Sequence, residues 1–401
     1  MFSRIPRGCV NYGSDLGNAL ERCRSSFMER FGAYGYVPFF SSGLQLLESS
    51  WEMLPSSFRR RLILVSSPFG EPCCLRPDIT LAVVSSLAHG MKLSGGPRRI
   101  CYADRVYKKP EGDDSPVETY QLGAELLGWD GEGADMEMIV LLTGALEKMG
   151  LADFTIALGD ASIMKIAMNR TGAASSGLSE ALQSGYLSDF LRLVDDADIP
   201  DYSRRILREL PFLKGNGDIF EAGADLFGDP SPFSALRNLY EGLEALGYSD
   251  RIVLDLGLAR ELGYYSGPVF EVYTADSGVP IGGGGRYDAL LQRFGIDAQA
   301  VGCAVNLERT LIDAISAPAS ETLVAWAGGI RRDRAFRAAE VLRNSGIPFE
   351  LSWYDEAATS KGEARSAGFR WWTDLAGEEI LDLRRGGAVN LESWSRGRRR
   401  C

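Results

Sequence analysis

The run ETYQLGAELLG (118–128) alternates, so Glu118, Tyr120 and Leu122 face one way while Thr119, Gln121, Gly123 and Glu125 face the other. Glu125 stands in apolar company, where an unpaired carboxylate is costly to bury. Either the strand is a wet edge, or Gln121 and Glu125 form a polar floor for a compact, amine-bearing ligand. LRPDITLAVVSS (75–86) sets Arg76, Asp78 and Thr80 at the mouth of an expected helix. There Asp78 and Thr80 either cap the helix or accept hydrogen bonds from an ammonium group. LARELGYYSGPVFEVY (258–273) adds Arg260, the adjacent Tyr264 and Tyr265, expected on opposite faces, and Gly267, where backbone could approach a ligand. Core packing of both tyrosines is the alternative. IGGGGRYDALLQRFG (281–295) reads as a glycine connection into a helix whose amides could cradle an anion, and it matches neither of the common nucleotide-binding glycine signatures.

These residues need a scaffold, and the chain is long enough for one. Its 401 residues, 45% hydrophobic and 24% charged, suffice for two or three domains with ordinary cores. A net charge of -11 repels polyanions and weighs against nucleic acid. The basic tail Arg396, Arg398, Arg399 and Arg400 reads as a solvated terminus. Seven cysteines without paired spacing suggest no disulfide framework and fit a reducing cytoplasm. The single histidine, His89, removes most zinc sites and histidine-based triads, and is expected to cap a helix or sit satisfied in the core. No apolar run is long enough to span a membrane.

Leu16, Leu20, Cys23, Phe27 and Phe31 recur at helical spacing after a Ser or Asp that could cap the helix. Strands are expected in YGYVPFF, RLILVSS, RRICYADRVY, ETYQLGAELLG, DFTIALGD, SGPVFEVYTA and QAVGCAVNLE, several joined by short hairpins. The fold class is therefore α+β, a mostly antiparallel sheet with flanking helices. Between about 162 and 250 the strands give way to a helical insertion. A small-residue linker at SAPASET (316–322) precedes a strand-helix-strand unit with parallel pairing at its start. The expected divisions are a first part of the main domain at 1–161, the insertion at 162–250, a second part at 251–315, and a small C-terminal α/β domain at 322–401.

Taken in order, GYVPFF, RPDIT, the hairpin 101–128, RELGYYSGPVFE, GGGGRYD and AVGCAVNLER resemble the class II aminoacyl-tRNA synthetases, and among them the histidyl-tRNA synthetases, over about residues 12 to 315. The C-terminal domain resembles a shortened anticodon-binding domain. The resemblance implies a class II synthetase-like fold and a dimer formed through the first motif. It implies that Asp78, Thr80 and Gln121 hold the ammonium of histidine, that Glu125 and Tyr265 meet its imidazole with Tyr264 beside them, and that Arg260 neutralises a carboxylate or phosphate.

The ATP side departs from that family. Its hairpin carries an arginine where this chain has Lys108, in VYKKPEGDDSP, and a lysine cannot form a bidentate fork on phosphate. Glu111, Asp113 and Asp114 stand where cations would be wanted. Like charges ~5 Å apart at an effective dielectric near ~20 repel by about 3 kcal/mol. Ser85 stands for an arginine and Asn306 for a glycine, while Arg309 remains. An amino-acid pocket without phosphate machinery resembles the regulatory subunits of ATP phosphoribosyltransferase. That likeness implies a non-catalytic role beside a short-form ATP phosphoribosyltransferase catalytic subunit at the first step of histidine biosynthesis, with histidine as a feedback ligand and no cofactor or metal. A divergent histidyl-tRNA synthetase, for which the arginines 331, 332, 334 and 337 would form a tRNA face although a solvated amphipathic helix explains them equally well, and a stand-alone histidine-sensing module are the competing readings.

Overall fold

The computed structural model describes residues 5–52, 54, 56–90, 96–110, 112, 116–170, 177, 178, 181, 187–258, 264–275, 277–314, 322–344, 348–377 and 379–390. It divides into two compact units, residues 1–315 and 316–401.

The first unit opens with α1 (Ser14–Gly32), whose cap position falls on Gly13 and so lacks the capping side chain expected of Ser14 or Asp15. Cys23, Phe27 and Phe31 are buried along one stripe, with Leu16 and Leu20 packed against the same core. Each fully buried phenylalanine contributes roughly 1.5–3 kcal/mol of transfer free energy. There follow β1 (Val37–Pro38), β2 (Leu44–Leu46), α2 (Leu47–Trp51), α3 (Ser56–Arg59), β3 (Leu64–Ser66), β4 (Pro72–Leu75) and α4 (Ile79–His89). His89 ends α4 exposed, its Nδ1 2.8 Å from the Ser85 carbonyl.

Next come the long hairpin β5 (Arg98–Tyr107) and β6 (Glu118–Leu127), α5 (Glu132–Lys148) and β7 (Phe154–Asp160). Helices dominate the following stretch: α6 (Ala161–Arg170), α7 (Leu187–Asp196), α8 (Asp201–Glu209), the short β8 (Lys214–Gly215), α9 (Ile219–Phe227) and α10 (Ser234–Ala245). Phe190, Ile206, Phe220, Leu236 and Leu243 from these helices are buried in one continuous core with α1, α5 and the sheet. The unit closes with β9 (Ile252–Asp255), β10 (Pro268–Thr274), β11 (Gly282–Arg286), α11 (Asp288–Arg293), β12 (Ala300–Asn306) and α12 (Leu307–Ala314).

Nine strands form the main sheet in the order β1-β5-β6-β12-β11-β10-β7-β9-β8. All neighbours are antiparallel except β1 with β5 and β7 with β9. Alternation splits its two faces: Cys101, Leu122, Ala124 and Leu126 join the core of α1 and α5, while Ile100 and Tyr102 join a second core with α4.

The glycine run is not the connection its composition suggests. Gly282–Arg286 is β11, in the interior of the sheet. A Cβ on Gly284 would lie 2.0 Å from the Gly302 carbonyl oxygen, and one on Gly282 2.4 Å from that of Ala304. Backbone crowding therefore requires glycine where propensity alone disfavours it.

In the second unit, β13 (Leu323–Trp326), α13 (Arg332–Asn344), β14 (Phe349–Ser352), α14 (Ala357–Ser366), β15 (Trp371–Asp374), β16 (Glu379–Asp382) and β17 (Ala388–Asn390) build a sheet ordered β14-β13-β15-β16-β17. The β13 pairings with β14 and β15 are parallel and the rest antiparallel.

Candidate ligand-binding site

The α4 face of the main sheet holds a cavity of about 380 Å³. Three elements meet at Glu125, which is 1% exposed. From the first turn of α4, Thr80 donates to Oε1 at 2.6 Å; from β5, Tyr102 donates to the same oxygen at 3.2 Å. Tyr287, just beyond β11, donates to Oε2 at 2.6 Å.

Two glycines make room for this cluster. A Cβ on Gly123 would sit 2.3 Å from the Tyr102 hydroxyl, and one on Gly302, the register partner of Glu125 on β12, 1.7 Å from Glu125 Oε2. Burial lifts the Glu125 carboxyl from 4.5 to about 8; the three hydroxyls oppose the shift and the charge of Asp78 adds to it.

Asp78 does cap α4, its Oδ1 accepting the Leu81 amide at 2.9 Å, and it also lines the cavity. Capping and ligand contact are thus compatible rather than rival. Gln121 lines the cavity with a buried side-chain oxygen that has no hydrogen-bond partner among the described residues.

Tyr264 and Tyr265 both line the cavity, their ring centroids 5.0 Å apart, and Tyr264 meets Tyr287 edge-on at 5.9 Å. The expectation of opposite faces fails because β10 begins only at Pro268, so strand alternation does not extend to them. Burial raises the phenols of Tyr264 and Tyr287 well above their ordinary range. The Tyr265 carbonyl accepts from Lys165 of α6 at 2.7 Å.

Arg260, the acids 111, 113 and 114, and the tail arginines 396, 398, 399 and 400 lie outside the described residues. Lys108, Asn306 and Arg309 line the cavity. Lys108 places its ammonium 4.6 Å from the Phe58 ring centroid, and Arg309 donates to the Pro280 carbonyl at 2.7 Å. Asn306 pairs with Gln121 across β12 and β6. Arg76, by contrast, is 2% exposed and serves the scaffold: its guanidinium donates to the carbonyls of Arg105 and Ser41 and pairs with Asp104.

Sequence reasoning missed Tyr102, Tyr287, Gly302, Cys303, Glu271 and Arg61, of which all but Tyr102 line the cavity. Tyr287 lies in GGGGRYD, and treating that run as a strand would have aimed it at the sheet's active face. Arg61 carried no signal. Among the described residues, no group of three or more His, Cys, Asp or Glu is placed to hold a metal ion.

A family model described as histidyl-tRNA synthetase matches residues 14–310. An ATP phosphoribosyltransferase regulatory subunit of Desulforamulus reducens is 35% identical over 386 residues, covering 92% of this chain and 94% of that protein. Among solved structures, an ATP phosphoribosyltransferase regulatory subunit/histidyl-tRNA synthetase from Bacillus halodurans superposes with a TM-score of 0.79 at 24% identity, covering 93% of this chain and 97% of that one. A histidyl-tRNA synthetase from a Nostoc species gives a TM-score of 0.80 at 17% identity, covering 100% of both chains. At these identities the two structures establish the fold, that of a class II synthetase, over the sheet and helices described above.

Proposed function

The chain belongs to the family of ATP phosphoribosyltransferase regulatory subunits, within the wider histidyl-tRNA synthetase family, and from that premise we propose that its cavity binds histidine for control rather than for adenylate formation. Its role is regulatory and lies in histidine biosynthesis. The observation that carries the histidine reading is the Glu125 cluster. A buried carboxyl ringed by Thr80, Tyr102 and Tyr287 retains capacity to accept a ligand N–H, and the orphaned oxygen of Gln121 and the carboxylate of Asp78 offer acceptors to an ammonium.

Adenylate formation would require a preorganised clamp on the transferring phosphates. Lys108 presents a point charge already committed to the Phe58 ring, and Asn306 places a side chain in the cavity lining where glycine would leave space for adenine. Both features support a chain that does no covalent chemistry itself. Its partner is then a short catalytic subunit that transfers phosphoribose to ATP in the cytoplasm. Histidine controls that partner by preferring one state of the assembly, since a ligand indifferent to both states shifts neither.

Self-association through the segment that resembles the first class motif is supported by exposed apolar side chains there, Val37 at 59% and Phe40 at 86%, with Leu46 of β2 at 50% beyond it. Phe40→Asp is expected to convert a dimer into a monomer in light scattering.

Reconstitution tests the whole reading. Mixing the purified chain with a short phosphoribosyltransferase subunit is expected to raise product formation sharply and to make it sensitive to histidine. Histidine-dependent exchange of pyrophosphate into ATP by the chain alone would instead identify a working synthetase.

A further inference from the structure

Tyr264 and Tyr265 form one wall of the cavity without belonging to the sheet, since β10 begins at Pro268 and its ladder with β7 starts at the pairing of Pro268 with Asp160. Contacts with neighbouring elements hold the backbone before that point. The Ser266 amide donates to the Arg286 carbonyl, at the end of β11, at 2.8 Å. The Ala161 amide, first in α6, donates to the Gly267 carbonyl at 2.9 Å. Lys165, about one turn further along α6, donates from its ammonium to the Tyr265 carbonyl at 2.7 Å.

The first two contacts join main-chain groups, whereas the third depends on one side chain. Lys165 keeps much of its surface in solvent yet turns its ammonium inward, where burial and the charge of Arg293 lower its pKa against the pull of Asp160. A lysine that served solubility alone would leave its ammonium in water, because the long stem reaches solvent readily. A charged donor also makes a hydrogen bond about twice as strong as a neutral one.

On its other side the segment meets a fixed support. Arg286 grips Asp135 of α5 through Nε at 3.1 Å and Nη2 at 2.9 Å, and both residues are buried. Gly267 lies close against it, so that a Cβ there would stand 3.2 Å from Arg286 Cδ. The tyrosine wall therefore sits between a buried ion pair and a single flexible side chain of α6.

We propose that Lys165 is a positioning residue for the cavity: its ammonium fixes the Tyr264–Tyr265 wall in its binding shape and couples occupancy of the cavity to α6. This rests on reading the cavity as a histidine pocket. Lys165 does not line the cavity and acts through the Tyr265 carbonyl. Coupling is reciprocal, so a ligand that settles the two tyrosines steadies α6 by the same free energy. Ile163 and Met164 of α6 are buried in one core with Phe190, Ile206 and Phe220, so the signal enters helices that do not touch the ligand.

Two variants of the full chain test this, with calorimetry reading histidine affinity and hydrogen–deuterium exchange reading order. Lys165→Met removes the donor and is expected to weaken L-histidine on the order of tenfold, the scale of one hydrogen bond from a charged group. Lys165→Arg keeps a charged donor and is expected to recover most of that loss. Without ligand, Lys165→Met is expected to speed exchange at the amides of Ser266 and Ala161 while leaving β5 and β6 as they are. In the native chain, histidine is expected to slow exchange in α6. Unaltered affinity in Lys165→Met overturns the positioning role while histidine binding still upholds the pocket. A tenfold loss with unaltered exchange at Ser266 and Ala161, or a Lys165→Arg variant as weak as Lys165→Met, overturns the carbonyl contact as its cause. Histidine binding that leaves exchange in α6 unaltered overturns the coupling. A native chain that binds no histidine sinks the pocket reading instead, and the exchange comparison then decides by itself whether Lys165 holds the wall.

Discussion

At the floor of the cavity Glu125 is 1% exposed and gripped by three hydroxyls from three separate elements, whereas at the mouth Arg309 is exposed and held by one carbonyl. The two regions carry opposite charge and are stabilised by different physics. The floor is a desolvated network in which each member constrains the others, so its interactions are strong and intolerant of change. The mouth is wet, so each charge there is screened and acts nearly independently. A site can therefore lose or exchange its mouth while the floor persists, and this is the difference expected between an amino-acid sensor and an adenylate-forming enzyme on one scaffold.

The harshest way to break the comparison is Gly302→Ala. Its new methyl would stand 1.7 Å from Glu125 Oε2, a contact no side chain tolerates, with the Ala124 carbonyl oxygen 2.9 Å away on the same side. Relief requires moving Glu125 or parting β6 from β12. Overpacking of this kind costs about 1–3 kcal/mol of stability, and histidine binding measured by calorimetry is expected to vanish. An unaltered affinity would mean that the ligand does not depend on Glu125.

Glu125→Gln is the sharper probe because it keeps the shape and removes the ionisable carboxyl. Histidine affinity should fall by about tenfold, the loss expected for one hydrogen bond to a charged group. The same variant reports on pH. The carboxyl titrates near 4.5 when exposed and near 8 in the fold, so between these values the folded state holds more protons than the unfolded. Stability from this group is then fully present below 4.5 and is lost as pH rises through 8. Denaturation of the native chain across that window should show stability declining with pH, and Glu125→Gln should flatten the decline.

The alternation of ETYQLGAELLG made the floor legible, because a strand's side chains follow from spacing alone. So did the cap at Asp78, whose interaction spans three residues. What stayed hidden is long-range or lacks a side chain. Tyr287 reaches Glu125 across 162 positions and Thr80 across 45, distances over which no local pattern informs. Glycines carry no periodicity, so β11 looked like a loop although crowding against β12 is what selects them. The two tyrosines were given strand phase in a segment that is not yet strand. The fold class was legible because the long hairpin and the helices on either face are written in hydrophobic spacing.

The smallest expected effect lies at the mouth. Arg309→Met is predicted to change histidine affinity by about twofold or less, since an exposed cation in water gains roughly 0.2–1 kcal/mol from a single ion pair. The prediction is informative because it is not symmetric with the floor: both residues line one cavity, and only burial separates them. A titration at low and high salt checks it, since a screened contact weakens with ionic strength whereas the buried hydroxyl network does not. A tenfold loss in Arg309→Met, disappearing at high salt, would place the histidine carboxylate on Arg309. The role expected of Arg260 would then be filled from α12, and the mouth would belong to the amino-acid pocket itself.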